Sequence, residues 1–333
     1  MYTEDDISSA IEAGVLTKEA ASAFRAHVAG LKSETAVDEE HFRLVTGFND
    51  IFVVIACLLL LTSVAWIGSA LVPWLGALAV SATAWFLAEF FTRKRRMALP
   101  AIVLLLVFVG SVLTSFVLLL GNSPQHLFFA TAVAAAAAWL HWLRFHVPIT
   151  VAAGVAAGAS CVVALLIWAI PEAKNWTTAI SLATGVVVFT LAITWDGTDT
   201  ARETRRSDVA FWLHLLAAPL LVHPVFTLLG VFEGQTTYGQ AAAVVALYVA
   251  IALISLCIDR RALMVSALIY VLYALSTLLK QYGVIGLSFA ITAFVIGSAL
   301  LLLSAYWHSS RVHLLRLLPP TVQSRLARTN EIL

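Results

Sequence analysis

Ten apolar stretches, each about as long as a bilayer is thick, follow one another from Phe52 to Trp307, separated by short polar connections. Crossing about 30 Å of hydrocarbon takes roughly 20 apolar residues as a helix, because each residue rises about 1.5 Å and its backbone must hydrogen-bond within the helix. The pattern predicts helices over Phe52–Val72, Trp74–Phe91, Leu99–Leu120, Leu127–Leu143, Ile149–Ile170, Thr177–Trp195, Val209–Leu229, Tyr238–Ile258, Ala262–Leu279 and Val284–Trp307. The turns around Pro73 and Gly283 are short enough that the first or last pair is alternatively a re-entrant hairpin. The expected fold is therefore all-α: a polytopic transmembrane helix bundle of ten spans, or nine.

The connections carry a second pattern. Lys and Arg in short loops stay on the cytoplasmic side during insertion. Cations cluster before span one (Lys18, Arg25, Lys32, Arg43), after span two (Arg93, Lys94, Arg95, Arg96) and after span four (Arg144). They return after span six (Arg202, Arg205, Arg206), span eight (Arg260, Arg261) and span ten (Arg311, Arg316, Arg325, Arg328), while the other side holds only Lys174 and Lys280. Both termini are predicted to be cytoplasmic, in a bacterial inner membrane. Trp66, Trp74, Trp85, Trp142, Trp176, Trp195 and Trp307 sit near span ends, where an indole suits the headgroup layer.

Composition agrees: 61% hydrophobic and 12% charged residues in 333 is too much apolar surface for one soluble core, so the lipid bilayer is the main partner. A net charge of +1 gives no footing for nucleic acid. Cys57, Cys161 and Cys257 fall inside apolar spans, where thiols act as small hydrophobes, so neither disulfides nor a zinc cluster follow. No cofactor motif is present. The acidic opening Glu4, Asp5, Asp6 and the late first apolar run argue against a cleavable signal.

Residues 1–48 form a cytoplasmic helical hairpin and linker, 49–307 the bundle, and 308–333 a basic amphipathic cytoplasmic tail. In the hairpin, Thr3 and Thr17 cap two short helices around Gly14, the second carrying Ala20, Ala21, Phe24, Val28 and Leu31. It is too small to be stable alone and suits docking on a cytosolic protein partner or on the membrane body. In the tail, Arg311 and Arg316 interleave with leucines before Pro319 and Pro320, as in a segment lying on anionic lipid. The acidic hairpin with its Gly-Val-Leu-Thr turn (Gly14 to Thr17), the polytopic body and the basic Leu-rich tail before a Pro resemble a group of uncharacterised bacterial predicted membrane proteins. That resemblance implies the same architecture and no activity.

Intramembrane ionisable groups mark functional candidates. Span seven carries Asp208, Trp212, His214, Pro219, His223 and Pro224. His214 and His223 are nine residues apart and face opposite sides, so they are not a zinc pair, which needs a spacing of three or four. Pro219 frees the Leu215 carbonyl near His214, a polar break of the kind at which transporters bind solute; the alternative is a kinked, packed helix with a satisfied histidine. Asp196 and Asp199, with Arg202, Arg205 and Arg206 beyond, are candidate Mg²⁺ ligands. They resemble the CDP-alcohol phosphotransferase motif Asp-Gly-x-x-Ala-Arg, with one extra residue before Ala201 and without its later acids.

Elsewhere, Glu89 and Arg93 have helical ion-pair spacing, Asn49 and Asp50 cap span one, and His141 and His146 face the headgroups. Gly154 and Gly158 invite close packing by the Ala134–Ala138 run. Size, span count and terminus placement are similar to the ten-span drug and metabolite transporter superfamily. No span centre holds Asp, Glu, Lys or Arg, which argues against an ion-coupled pump. Three functions follow: binding or transport of a small uncharged or amphipathic solute at span seven, a scaffold or sensor acting through the hairpin, or a Mg²⁺-dependent lipid-headgroup enzyme.

Overall fold

Where water is absent a backbone must satisfy its own hydrogen bonds, which leaves a chain of this pattern little choice but helices. The computed structural model describes residues 9–11, 13–24, 48–199, 204–230, 237–281 and 288–319, and among them there are helices and turns and no strand. The chain divides into two compact units, Met1–Phe42 and Arg43–Leu333.

In the first unit, residues 9–11 are helical and lead into a turn with Gly14 at φ +68°, a conformation that only glycine adopts at no cost. The Val15 and Leu16 amides both donate to the Ala10 carbonyl, at 3.0 and 3.1 Å. Thr17 Oγ1 then accepts from the Ala20 amide at 3.1 Å, which is the expected cap of the second helix. Ala21 is buried and Phe24 is 43% exposed. The proposed Thr3 cap, Val28 and Leu31 lie outside the described residues.

The second unit runs α1 (Phe48–Leu71), α2 (Pro73–Ala88, prolonged by a π-helical turn over Glu89–Lys94), α3 (Ala98–Leu120), α4 (Pro124–Phe145) and α5 (Ile149–Ala169). A short 3₁₀ turn, Pro171–Trp176, leads to α6 (Thr177–Asp196), α7 (Arg205–Leu228), α8 (Tyr238–Ile258), α9 (Ala262–Gln281), α10 (Ser288–Ala305) and α11 (Trp307–Arg316). Each apolar stretch of the sequence coincides with one of α1–α10. Among the described residues eight segments are long and apolar enough to cross a membrane: α1, Pro73–Lys94, α3, α4, α5, Pro171–Asp196, α7 and α8. A ninth is counted if α10 and α11, bent by 72° at their junction, form one span; the apolar part of α9, Ala262–Thr277, is shorter. The architecture is that of a multi-pass membrane protein. On either side of the tight Pro73 turn, α1 and the stretch Pro73–Lys94 are each of spanning length and apolarity.

That turn is possible because glycines face each other beside it: a Cβ on Gly68 would fall 2.5 Å from the Gly76 Cα. Between α4 and α5 a Cβ on Gly154 would meet Ala138 at 3.6 Å, so the small-residue contact forms as expected, while Gly158 faces open space.

Helix α7 is the hub. It packs on α5, α6 and α9, and half of its apolar window is buried, against 11% for α1 at the periphery. Ala217, Leu213 and Val209 join a core with Val188 and Ala192 of α6, while Ala218, Val222 and Phe226 join a second core with α8, α9 and α10. Outward residues such as Trp66, Leu71 and Phe86 are more than 70% exposed, as lipid-facing side chains must be. Gly185 of α6 lies directly on the α7 backbone, where its Cβ would be 2.8 Å from the Leu220 carbonyl carbon and 2.9 Å from the Leu221 amide nitrogen. Backbone cannot yield as a side chain does. Gly185→Ala is expected to lower stability by about 1–3 kcal/mol in detergent unfolding, with Gly158→Ala as the near-neutral control; equal midpoints for the two would refute the contact.

Candidate functional site

The candidate site lies at the end of the bundle that carries the Arg-rich connections, where α6 stops, α7 starts and α8 turns into α9. Asp259, after α8, adopts the left-handed conformation (φ +58°), which Asp tolerates better than most residues. The Arg260 amide returns to the Ser255 carbonyl at 3.0 Å. In this corner Arg260 reaches α6 and α7 while Asp259 bonds to α11, and both are at most 4% exposed.

Arg260 makes a two-point contact with the carboxylate that ends α6: Nη2 donates to Asp196 Oδ1 at 2.7 Å and Nε to Oδ2 at 3.2 Å. Nη2 also donates to the Ser207 carbonyl of α7 at 3.2 Å, one of the contacts that a guanidinium's rigid fork allows and an ammonium cannot reproduce. The same Asp196 Oδ2 lies 3.2 Å from His214 Nε2. A carboxylate only accepts, so Nε2 carries the proton and donates. His214 is 1% exposed and stands edge-on to Phe189 at 5.5 Å. The end of α6, helix α7 and the corner between α8 and α9 thus meet at one carboxylate, which is 16% exposed.

The other half of the corner holds α11. Asp259 Oδ1 accepts from Trp307 Nε1 at 2.9 Å, Oδ2 lies 3.6 Å from Arg311 Nη1, and Arg311 is 1% exposed. The Arg261 guanidinium covers the Trp307 ring at 4.8 Å. Two sequence expectations change here. Trp307 is a buried donor rather than a headgroup anchor, and Arg311 is docked into the bundle rather than laid on lipid, because the bend before α11 brings both to Asp259.

No family model, no curated protein and no solved structure matches this chain. The chemistry therefore rests on the residues themselves.

Of the expected site residues, the structure unites Asp196 and His214. Asp208, in the first turn of α7, is half-buried and within electrostatic reach of Arg260 and Arg205. Trp212 packs in the α5–α7 core with its ring edge-on to Phe211. His223 turns to the far side, where Nδ1 is hydrogen-bonded to the Tyr270 hydroxyl at 2.9 Å. The two carboxylates expected to hold Mg²⁺ each have other donors among the described residues. Asp196 is held by Arg260 and His214, whereas Asp199 Oδ2 accepts from the Thr204 amide and hydroxyl at 2.9 and 2.6 Å. Thr204 in turn accepts from the Arg206 amide, so Asp199 orders the start of α7. Among the described residues no three His, Cys, Asp or Glu side chains converge as a metal site would need.

Pro219 does not interrupt α7, which is continuous from Arg205 to Leu228. The second proline has the visible consequence: Pro224 frees the Leu220 carbonyl, and Ser181 Oγ of α6 donates to it at 3.4 Å, beside Gly185. Further from the site, Glu89 pairs with Arg144 of α4 at 2.6 and 3.1 Å more closely than with Arg93 at 3.4 Å. His141 is not at the headgroups; it is 1% exposed among the rings of Trp85, Phe108 and Phe145. Asp50 is buried inside the first turn of α1.

Sequence reasoning placed Arg260, Trp307 and Arg311 at solvated or interfacial ends and did not single out Asp259. One signal was there. The two adjacent spans leave Asp259, Arg260 and Arg261 as their whole connection, too short to lift every charge into water.

Proposed function

We propose that this chain is a bacterial inner-membrane protein of ten spans with both termini in the cytoplasm, which binds and moves a small uncharged or amphipathic solute along α7. The alternation of Lys and Arg between connections supports the orientation, and α9 and α10 complete the ten. The Asp196–His214–Arg260 group, in which the histidine and the arginine are buried, carries the functional reading. Ionisable groups withdrawn from water are expensive, and a set shared by three helices is kept where a solute path or a unique packing depends on it. Pro219 and Pro224 each remove a backbone bond from α7 beyond His214, which leaves that stretch the easiest part of the hub helix to bend.

The test compares small-molecule pools in cells with the wild-type gene, without it, and with His214→Ala at equal membrane abundance. The same solute should shift in the deletion and in the variant. A shift in the deletion alone removes His214 from the path, and no shift in either removes solute movement.

A second reading is a scaffold or sensor. It is favoured by the separate compactness of Met1–Phe42 and by the half-open Phe24 on its second helix. Deleting residues before Glu40 should abolish the phenotype while insertion persists; an unchanged phenotype rejects this role.

A further inference from the structure

Beside the ionic corner a cleft of about 190 Å³ opens between α8, α9, α10 and the start of α11. Its walls are almost wholly apolar, with Leu268 of α9 facing Leu300 and Leu303 of α10, and its polar groups are few and specific. Arg261 and Trp307 line it at the points where α9 and α11 begin, so they belong to its rim. Leu268 lies seven residues beyond Arg261, about 10 Å further along the helix axis. The cleft thus runs inward from a charged rim over an apolar floor. Val265 and Ile269 of the same helix are more than 60% exposed, so its open side faces the surface that lipid covers.

Two groups in it lack a partner of the right kind. Arg261, unlike its neighbour Arg260, has no carboxylate within ion-pair distance among the described residues; its recorded contact is the face of Trp307, which leaves the edge of the guanidinium available. The Tyr248 hydroxyl, in the wall, is buried with no hydrogen-bond partner among the described residues. A buried hydroxyl left so is costly unless a ligand supplies an acceptor.

We infer that this cleft seats the interfacial end of one anionic phospholipid, with the headgroup phosphate on Arg261, an ester oxygen accepting from Tyr248, the first methylenes of an acyl chain along Leu268, Leu300 and Leu303, and the rest of the lipid outside the cleft. An acyl chain is the molecule already present at that surface, and it matches a wall that is almost wholly apolar. A phosphate matches a guanidinium held flat against an indole, because the fork of N–H groups fits two phosphate oxygens at once. The ester oxygens come attached beneath the phosphate, as the acceptor that Tyr248 lacks. The proposal rests on the membrane reading and not on the solute path at His214.

The full-length chain, purified in detergent, is titrated with dioleoylphosphatidylglycerol or dioleoylphosphatidylcholine and followed by native mass spectrometry. A single saturable phosphatidylglycerol adduct is expected, with phosphatidylcholine about fivefold weaker, since one Arg near the lipid surface contributes on that order. Arg261→Gln should bring the two lipids to parity. Leu303→Trp, which fills the cleft and keeps the charge, should weaken both, and Tyr248→Phe gives a third variant should either fail to fold. Arg93→Gln, remote from the cleft, and His214→Ala should bind like the wild type. Equal binding of both lipids by the wild type overturns the inference. So does unchanged phosphatidylglycerol binding in the cleft variants, or displacement of the lipid by millimolar inorganic phosphate alone.

Discussion

Arg260→Ala is expected to cost about 3–5 kcal/mol of stability, the penalty for removing one partner of a buried ion pair. The guanidinium is the shared donor of the corner: without it Asp196 loses both hydrogen bonds from Arg260, and the Ser207 carbonyl loses its Arg260 donor. Arg260→Lys should recover part of the loss, because one ammonium cannot span both carboxylate oxygens and the carbonyl. Arg260→Met combined with Asp196→Asn should lose less than the sum of the single changes, since each single change already removes the same pair of contacts. Thermal unfolding in one detergent reads every variant. Wild-type midpoints for Arg260→Ala, or strict additivity in the double variant, would mean that the pair is not buried as described. Raising salt should alter the midpoint little, because buried pairs are poorly screened.

Asp259→Ala is the second large change, also by about 3–5 kcal/mol, for three reasons that a series separates. It removes the acceptor of Trp307 Nε1, removes the anion beside Arg311, and puts an alanine in a left-handed corner. Asp259→Gly relieves the backbone and keeps the two contact losses. Asp259→Asn retains an acceptor and the backbone preference and loses only the charge, so it should fall between Gly and the wild type. Trypsin gives an independent reading. Arg311 is protected in the docked α11 and should become cleavable in Asp259→Ala; persistent protection would show that α11 is held by other contacts.

The two variants test one device. Asp259 and Arg260 are consecutive residues, yet they bind helices on opposite flanks: α11 through Asp259, α6 and α7 through Arg260. The left-handed turn makes this possible by aiming neighbouring side chains apart. The terminal helix that follows the 72° bend is thereby tied to the hub helix that carries His214.

The helices were legible in the sequence to within a few residues. Tyr238–Ile258 has the bounds that the apolar run predicts, and α5 begins at Ile149 as expected. The contact of Gly154 with the alanine run was legible too, because small residues at helical spacing admit a close neighbour wherever they occur. His141 and Arg311 were not. Each lies at the end of an apolar run, where position alone suggests water or headgroups, and each is buried by a helix distant in sequence or by a bend that hydropathy does not register. The site was half legible: His214 and Asp196 stood out as candidates, but as members of two different sites.

By itself the sequence determined that the chain forms long apolar helices, where they begin and end, and which connections are rich in arginine, because these depend on sums over about 20 neighbouring residues. Only the tertiary structure decided which charges are solvated and which are paired. Arg260 finds Asp196 at a separation of 64 residues and Trp307 finds Asp259 at 48, and a buried carboxylate takes whichever donor the packing brings within 3 Å or so.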